Sequence, residues 1–326
     1  MPSSKPAEPR APIDISMGEP SGIGPEIAVK AWAKLSGRIG ARKLRLVGNA
    51  DIFRQAAKWA DIAPDALISS IVETAHHLVV VPGKPDVKNA GAVTAAIAVG
   101  ARNALSGKAA ALVTAPIHKA VLTEAGFRFP GHTEYLAEIT GAKRAVMMLA
   151  GPDLRVVPLT IHVPISEVPK HLDTTSIIET SEIVLAALAN DFGIAKPRLA
   201  VAGLNPHAGE EGTMGREDRT IIAPAIAKLK ARGHDVVGPL PADTLFHADA
   251  RARYDAALCM YHDQALIPIK TLNFWTGVNV TLGLPIVRTS PDHGTAFDIA
   301  GRGIANPASM IAAIEMAASI ADRRGL

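Results

Sequence analysis

One segment, from His262 to Asn306, combines side chains that could bind a metal, an anion and a cofactor. His262 supplies an imidazole. Lys270, Asn279 and Arg288 are hydrogen-bond donors that flank turns instead of lining one helical face, so a solvated charged surface explains them poorly. A phosphate needs convergent donors, and arginine can bind it through two hydrogen bonds. We therefore expect the rest of the chain to bring further groups to this segment.

Three histidines directly follow apolar runs that are typical of strands. They are His162 after LRVVPLTI, His207 after RLAVAGLNP and His262 after DAALCMY. Parallel strands end at one edge of a sheet, where three imidazoles could hold a divalent metal and leave a position open for substrate. Spacings of 45 and 55 residues carry no local signature, so surface histidines are the alternative. Asp263, beside His262, could orient that ring.

Two glycine-rich segments could contact a cofactor. In GEPSGIGPE, Gly22 and Gly24 lie between a strand and a helix, where backbone amides could approach a ligand, although a tight turn is an equal alternative. HGTAFDIAG joins His293 to Asp298. A carboxylate there can accept hydrogen bonds from ribose hydroxyls but would repel a 2′-phosphate.

The elements that position these residues alternate between short apolar runs and helical patterns. Strands are predicted over 43–49, 77–83 and 110–119 and again before each of the three histidines, and helices lie between most of them. Such alternation predicts an α/β fold with a mostly parallel sheet covered by helices on both faces. In sheets of this kind ligands bind outside the carboxyl ends of the strands.

Composition excludes several classes of protein. The chain has 326 residues, 48% of them apolar and 20% charged, with a formal net charge of +3 and no basic run, so nucleic-acid binding is not indicated. No apolar run reaches the roughly 20 residues that a membrane span needs. A single cysteine, Cys259, lies in an apolar run and cannot form a disulfide within one chain. We expect a cytoplasmic protein with a disordered leader over residues 1–10.

Seven segments in one order resemble the 4-hydroxythreonine-4-phosphate dehydrogenase family of pyridoxal-phosphate biosynthesis, within the isocitrate/isopropylmalate dehydrogenase-like fold. The segments are MGEPSGIGPE, TAPIHK, GHTEYLAE, GLNPHAGEEG, LPADTLF, MYHDQALIPIK and GVNVTLGLPIVRTSPDHGTA. The resemblance implies two α/β/α subdomains, with approximate bounds of 11–128 plus 265–326 for the NAD-binding subdomain and 129–264 for the metal-binding and dimerisation subdomain.

The resemblance also implies roles for particular residues. It implies a homodimer whose divalent metal, Zn, Mg or Co, is shared between subunits and bound by the three strand-end histidines. It places NAD beside Gly22, Gly24 and Asp298, with the adenine near His293 and Asn306. The substrate contacts that it implies are His132, Thr133, Lys270, Asn279 and Arg288.

The reaction that the resemblance implies is oxidation of 4-phosphooxy-L-threonine at its secondary alcohol, followed by decarboxylation to 3-amino-2-oxopropyl phosphate. Lys270, Lys119 and Asp243 are the candidates for proton transfer, and Asp243 could instead be a helix cap. The segment FDIAGRGIANP leaves open a paralogue that acts on 4-phospho-D-threonate or 4-phosphoerythronate. A phosphate acyltransferase and a non-enzymatic metal sensor are the alternatives from other classes. Asp298 and the histidines disfavour the first, and the phosphate-type donors disfavour the second.

Overall fold

The structure is a computed structural model that describes residues 10–74 and 78–326. The expected leader therefore lies outside the described residues except for Arg10, which begins the first strand. The strands are β1 (Arg10–Ser16), β2 (Arg38–Ile39), β3 (Arg42–Gly48), β4 (Ile71–Glu73), β5 (Ala111–Thr114), β6 (Val146–Ala150), β7 (Arg155–Pro158), β8 (Arg198–Ala202), β9 (Asp235–Leu240), β10 (Ala256–Cys259), β11 (Val278–Leu282) and β12 (Val287–Pro291).

Eleven α-helices connect or follow these strands in the described part of the chain. They are α1 (Gly24–Lys34), α2 (Ala50–Trp59), α3 (Ala90–Leu105), α4 (Lys119–Glu124), α5 (His132–Thr140), α6 (Thr174–Asn190), α7 (Ala223–Ala231), α8 (Ala242–Leu245), α9 (Ala248–Arg251), α10 (His262–Asn273) and α11 (Ala308–Arg323). None of the helices described is long and apolar enough to cross a membrane.

The chain divides into two compact units. Unit 1 contains the described residues up to Ala145 together with Leu284–Leu326, and unit 2 is Val146–Gly283. Both boundaries lie later in the chain than the sequence suggested. The reason is packing: α5 lies against α3 in unit 1, whereas α10 packs on β7 and β11 pairs with β6 in unit 2.

Unit 1 has the strand order β2-β3-β1-β5-β12, with β4 beside β3, and all of its pairs are parallel except β2 with β3. Leu112 of β5 packs against α3. Thr289 of β12 is in register with Val113, the residue of β5 that follows Leu112, and its hydroxyl donates a hydrogen bond to the Ala313 carbonyl of α11 at 2.8 Å. Successive strand residues point to opposite faces, so α3 and α11 cover the two faces of this sheet.

Unit 2 has the order β11-β6-β7-β10-β8-β9, antiparallel through β11, β6 and β7 and parallel from β7 onward. Its buried strands are short apolar runs such as Ala256–Cys259, as expected for parallel strands covered on both faces. Helix α10 packs on β7 and β10, and α6 packs on β6, β8 and β11. The predicted α/β fold with a mostly parallel sheet is confirmed.

One predicted strand is not formed. Residues 78–83 of the predicted strand 77–83 contain only an isolated bridge between Val81 and Lys84, and residue 77 is not described. At this side of the sheet, β4 pairs with β3 instead, in addition to β2. Pro82 has no amide hydrogen for a ladder, and Val79 and Val81 are exposed, so this apolar run has no face to bury.

Candidate functional site

In unit 2, adjacent parallel strands bring two of the predicted metal ligands together. Strands β7 and β10 are in register, and their pairing continues beyond the end of β7 through Leu159 N, which donates to the Cys259 carbonyl at 2.8 Å. The ring centroids of His162 and His262 are consequently 5.9 Å apart. Nδ1 of His262 lies 2.7 Å from a carboxylate oxygen of Asp263, which leaves Nε2 available for a ligand.

The third histidine, His207, lies on a backbone turn of unusual conformation. It follows β8, the other neighbour of β10, and residues 207–211 all have positive φ angles between 39° and 78°. Only Gly209 among them is a glycine, and left-handed conformations cost other residues roughly 1–2 kcal/mol each. Such strain persists only where the surrounding structure holds it, and it is commonly found at functional sites.

Within one chain these histidines do not form a complete metal site. No group of three His, Cys, Asp or Glu side chains in residues 10–74 and 78–326 is placed to hold one ion. His162 and His262 fit two positions of a metal site, whereas His207 lies outside their cluster. The three strands that precede these histidines do end at one edge of the sheet, as expected. The three imidazoles of one chain nevertheless do not form one metal site.

The other predicted residues of unit 2 have different surroundings. Lys270 lines the same open depression as His262 and Asp263, two turns further along α10. Asn279 lies on β11, and its Oδ1 is shielded from solvent with no hydrogen-bond donor among the described residues. Asp243 is exposed in the first turn of α8. The N-cap of that helix is Pro241, so Asp243 is not the cap.

In unit 1, Arg288 forms the centre of a cationic cluster. It belongs to β12, is 2% exposed, and its Nη2 donates to Thr114 Oγ1 at 2.6 Å. Burial lowers the pKa of this guanidinium to about 9, and the Glu134 carboxylate opposes the shift. The group still carries its charge at neutral pH. A buried cation of this kind provides a strong site for an anion.

His132 stands beside this arginine at the first position of α5. Its Nε2 is shielded from solvent and has no partner among the residues described. Burial, together with the charges of Arg288 and Lys119, lowers the pKa of His132 well below its usual value, so the ring is neutral. Lys119 lies close by: a Cβ added to Gly131 would be 3.7 Å from its Nζ.

The start of α5 adds backbone donors to the same cluster. Gly131 is the N-cap and offers no side chain, so the first amides of the helix, including that of Thr133, have neither a capping side chain nor a partner within the helix. A helix N-terminus of this kind favours anions. Together with Arg288 and His132, the arrangement is chemically suited to a phosphate group.

The two glycine-rich segments pack tightly on one another. A Cβ at Gly22 would lie 2.8 Å from the Thr295 carbonyl, and one at Gly24 would lie 2.7 Å from the Met17 carbonyl. The amides of Gly22 and Ile23 donate to the carbonyls of Glu19 and Thr295. These contacts give both glycines a packing role and occupy amides that a phosphate cradle would use. Their contact with a cofactor stays a prediction.

The remaining cofactor candidates differ in how far their side chains are engaged. His293 Nδ1 lies 3.0 Å from the Gly294 carbonyl, and Asn306 Oδ1 accepts from Ala308 N at 3.0 Å at the start of α11. Asp298 is exposed in the turn Phe297–Ile299. Among the described residues its carboxylate forms no hydrogen bond and caps no turn, so it is available to a ligand.

Sequence reasoning missed two residues that position the site. The buried Gln264 accepts from Met260 N at 2.6 Å and donates to the Gly203 carbonyl at 2.7 Å, which joins the start of α10 to the segment that leads to His207. His118 packs edge-on against Phe297 with ring centroids 5.0 Å apart. Its position between Pro116 and Lys119 in the segment TAPIHK was the only available signal.

Comparison with known proteins decides the family. Residues 40–317 match the family described as pyridoxal phosphate biosynthetic protein PdxA. The chain belongs to this family. It is 53% identical to the 4-hydroxythreonine-4-phosphate dehydrogenase of Caulobacter vibrioides over 97% of this chain and 99% of that one. A relative of the same name from Roseobacter denitrificans is also 53% identical, over 96% of this chain and 98% of its own.

Solved structures agree with this assignment to the PdxA family. The crystal structure of 4-hydroxythreonine-4-phosphate dehydrogenase from Klebsiella pneumoniae is 36% identical, has a TM-score of 0.83, and covers 95% of this chain and 99% of that one. A terephthalate 1,2-cis-dihydrodiol dehydrogenase from Burkholderia xenovorans is 30% identical with a TM-score of 0.66, over 95% of this chain and 98% of that one. The resemblance inferred from the seven sequence segments is confirmed.

Proposed function

We propose that the chain oxidises 4-phosphooxy-L-threonine with NAD and a divalent metal, and that decarboxylation gives 3-amino-2-oxopropyl phosphate for pyridoxine 5′-phosphate biosynthesis. Family membership and 53% identity to a dehydrogenase of that name support the reaction. The structural observation that carries the substrate class is the buried Arg288 beside the neutral His132 at the start of α5. Thr133 completes this phosphate site.

The reaction has two stages. The C3 hydroxyl loses its proton and C3 loses a hydride, which gives a β-keto acid; the C1–C2 bond then breaks, CO₂ leaves, and C2 takes up a proton. When bound, the nicotinamide accepts the hydride, and the divalent ion stabilises negative charge on the C3 oxygen in both stages. The chain itself has to hold the phosphate, orient the alcohol and carry protons.

We assign proton transfer to Lys270 among the three candidates. It lines the same depression as His262, whereas Asp243 is exposed on α8 and Lys119 lies beside the phosphate site of unit 1. Asn279, with its solvent-shielded and unpartnered Oδ1, is proposed to contact a donor group of the substrate.

For the cofactor, we propose NAD bound beside Gly22, Gly24, His293 and Asn306, with Asp298 accepting hydrogen bonds from a ribose. The exposed carboxylate, which serves no local structural purpose, supports this role. For the metal, the pair His162–His262 supplies two imidazoles. We propose that the third, His207, comes from a second copy in a homodimer, because one chain does not assemble the trio.

Zinc suits imidazole ligands, and cobalt or magnesium are the other candidates. A single cysteine, buried as Cys259, is consistent with a reducing, cytoplasmic setting.

The decisive experiment is a spectroscopic assay of NADH formation with NAD, a divalent metal and 4-phosphooxy-L-threonine. Parallel reactions contain 4-phospho-D-threonate or 4-phosphoerythronate, which present the same phosphate to Arg288 and represent the paralogous activity. We expect the highest kcat/KM with 4-phosphooxy-L-threonine and one 3-amino-2-oxopropyl phosphate per NADH. A higher value with either comparison substrate would reassign the substrate, and no NADH with all three would refute the proposal.

A further inference from the structure

Asp218 is a buried carboxylate that no step of the proposed reaction uses. It begins a single π-helical turn, Asp218–Ile222, directly before α7, and is 2% exposed. Its Oδ1 accepts from Leu204 N at 2.8 Å, and its Oδ2 accepts from Asn205 N at 3.2 Å and from Asn205 Nδ2 at 2.9 Å. A charged group with bonds to two successive backbone amides fixes that backbone firmly.

Two glycines let this carboxylate reach both sides of the His207 turn. A Cβ at Gly203 would lie 2.8 Å from Asp218 Oδ1, and one at Gly209 would lie 3.2 Å from Oδ2. Gly203 precedes the turn and Gly209, at φ +78°, is its middle residue. The carboxylate therefore contacts the backbone before His207 through hydrogen bonds and the backbone after it through close packing.

The turn needs such support. Residues 207–211 are left-handed although four of them are not glycine, and this conformation persists only if its surroundings over-determine it. We propose that Asp218 is the positioning residue of the His207 imidazole: by holding residues 204–209 it sets the direction in which His207 meets a metal ion. The inference rests on the proposed role of His207 as a metal ligand.

The test is Asp218→Asn in the full-length protein, with Glu217→Gln as the matched control. Glu217 also accepts a hydrogen bond from the side chain of Asn205, through Nδ2 at 2.9 Å, but it accepts none from the backbone amide of Leu204 or Asn205. Loss of a residue that orients a metal ligand commonly weakens metal binding about 10- to 100-fold. We expect a shift of that size in a cobalt titration followed by d–d absorption for Asp218→Asn, and a shift below about threefold for Glu217→Gln.

A second readout needs no metal. Hydrogen exchange of the Leu204 and Asn205 amides in the metal-free protein should be faster in Asp218→Asn than in wild type, while KM for NAD, whose proposed site lies in unit 1, is unchanged. A purely structural role would instead raise exchange throughout unit 2 and leave the cobalt affinity of the folded fraction intact. Wild-type exchange at these amides, or wild-type cobalt affinity, overturns the proposal.

Two further variants keep the outcome clear. If Asp218→Asn does not fold, Asp218→Glu decides, because it keeps the buried charge but displaces the carboxylate from the Leu204 and Asn205 backbone amides: weaker cobalt binding supports the proposal and unchanged binding overturns it. His207→Ala separates the proposed metal-ligand role of His207 from the proposed positioning role of Asp218. If it binds cobalt as wild type does, the metal assignment fails; if it binds weakly while Asp218→Asn does not, the positioning role alone fails.

Discussion

Replacement of Arg288 by lysine tests the phosphate site without removing its positive charge. In the structure Arg288 has one guanidinium nitrogen 2.6 Å from Thr114 Oγ1, and its Nε is shielded from solvent with no acceptor among the described residues. A lysine at this buried position has a single nitrogen and cannot reproduce a rigid fork. The variant therefore keeps the charge but loses either the bond to Thr114 or one bond to the phosphate.

The loss can be estimated from one hydrogen bond to a charged group. Such a bond contributes about 1.5–3 kcal/mol. If the lost hydrogen bond also stabilises the transition state, kcat/KM for 4-phosphooxy-L-threonine should fall about 10- to 150-fold, since each 1.36 kcal/mol is roughly tenfold in rate. Initial rates of NADH formation at varied substrate give this value. Inorganic phosphate should become a weaker competitive inhibitor by a similar factor.

Arg54→Lys is the control, because Arg54 is partly exposed and bonds only to Asp51 at 3.0 Å among the described residues. A change at such a surface pair is expected to be small, within about 0.5 kcal/mol. The reasoning is refuted if Arg288→Lys stays within twofold of wild type. It is also refuted if the variant loses activity while inhibition by inorganic phosphate is unchanged, since the residue would then act elsewhere.

Three other predictions follow. His207→Ala should lose bound metal and turnover, while the melting temperature of the metal-free protein is unchanged because the side chain is exposed; elemental analysis, and calorimetry of the metal-free protein, check this. His132 has a lowered pKa when folded, so its neutral ring contributes stability that is present above the unfolded pKa near 6.5 and is lost as pH falls below it. Urea unfolding should thus lose less stability between about pH 7.5 and 5.5 in His132→Gln than in wild type. Asp298→Lys should lower the NAD/NADP ratio of kcat/KM; an unchanged ratio would remove Asp298 from cofactor choice.

The histidine positions illustrate how far sequence reasoning reached. Apolar runs before His162, His207 and His262 identified three strand ends, and β7, β10 and β8 are neighbours in that order. Hydrophobic pattern determines which runs are buried as strands, and parallel pairing then determines which ends share an edge. The sequence pattern does not predict the structure beyond the last strand residue, because the conformation of the following loop depends on local contacts.

The loops account for what was missed. Nothing in the letters NPHAGEEG indicates five successive left-handed residues, since alanine and glutamate ordinarily avoid that region. The contacts that hold the turn come from residues further along the chain, such as Arg219, whose Nη1 donates to the Glu211 carbonyl at 3.0 Å. The helix that begins at His262 was also missed. Its first turn has no capping side chain and it contains Pro268, so the usual signals of a helix start are absent or contrary. The segment that joins the sheet beside β3 is β4 and not the predicted strand 77–83. The exposure of Val79 and Val81, which explains this, cannot be read from the sequence pattern.

The places where local rules fail are the places proposed to carry chemistry. A buried guanidinium, a solvent-shielded imidazole nitrogen with no partner among the described residues and a left-handed turn each lower stability. Natural proteins retain such features where a ligand or a reaction compensates for them. Binding of an anion at α5 would offset the loss of stability caused by burying Arg288 and His132. The strained turn at His207 would be retained because it directs the imidazole toward a metal. A phosphate-free, metal-free protein should therefore gain stability on addition of either ligand, and the two gains should be separable by Arg288→Lys and His207→Ala.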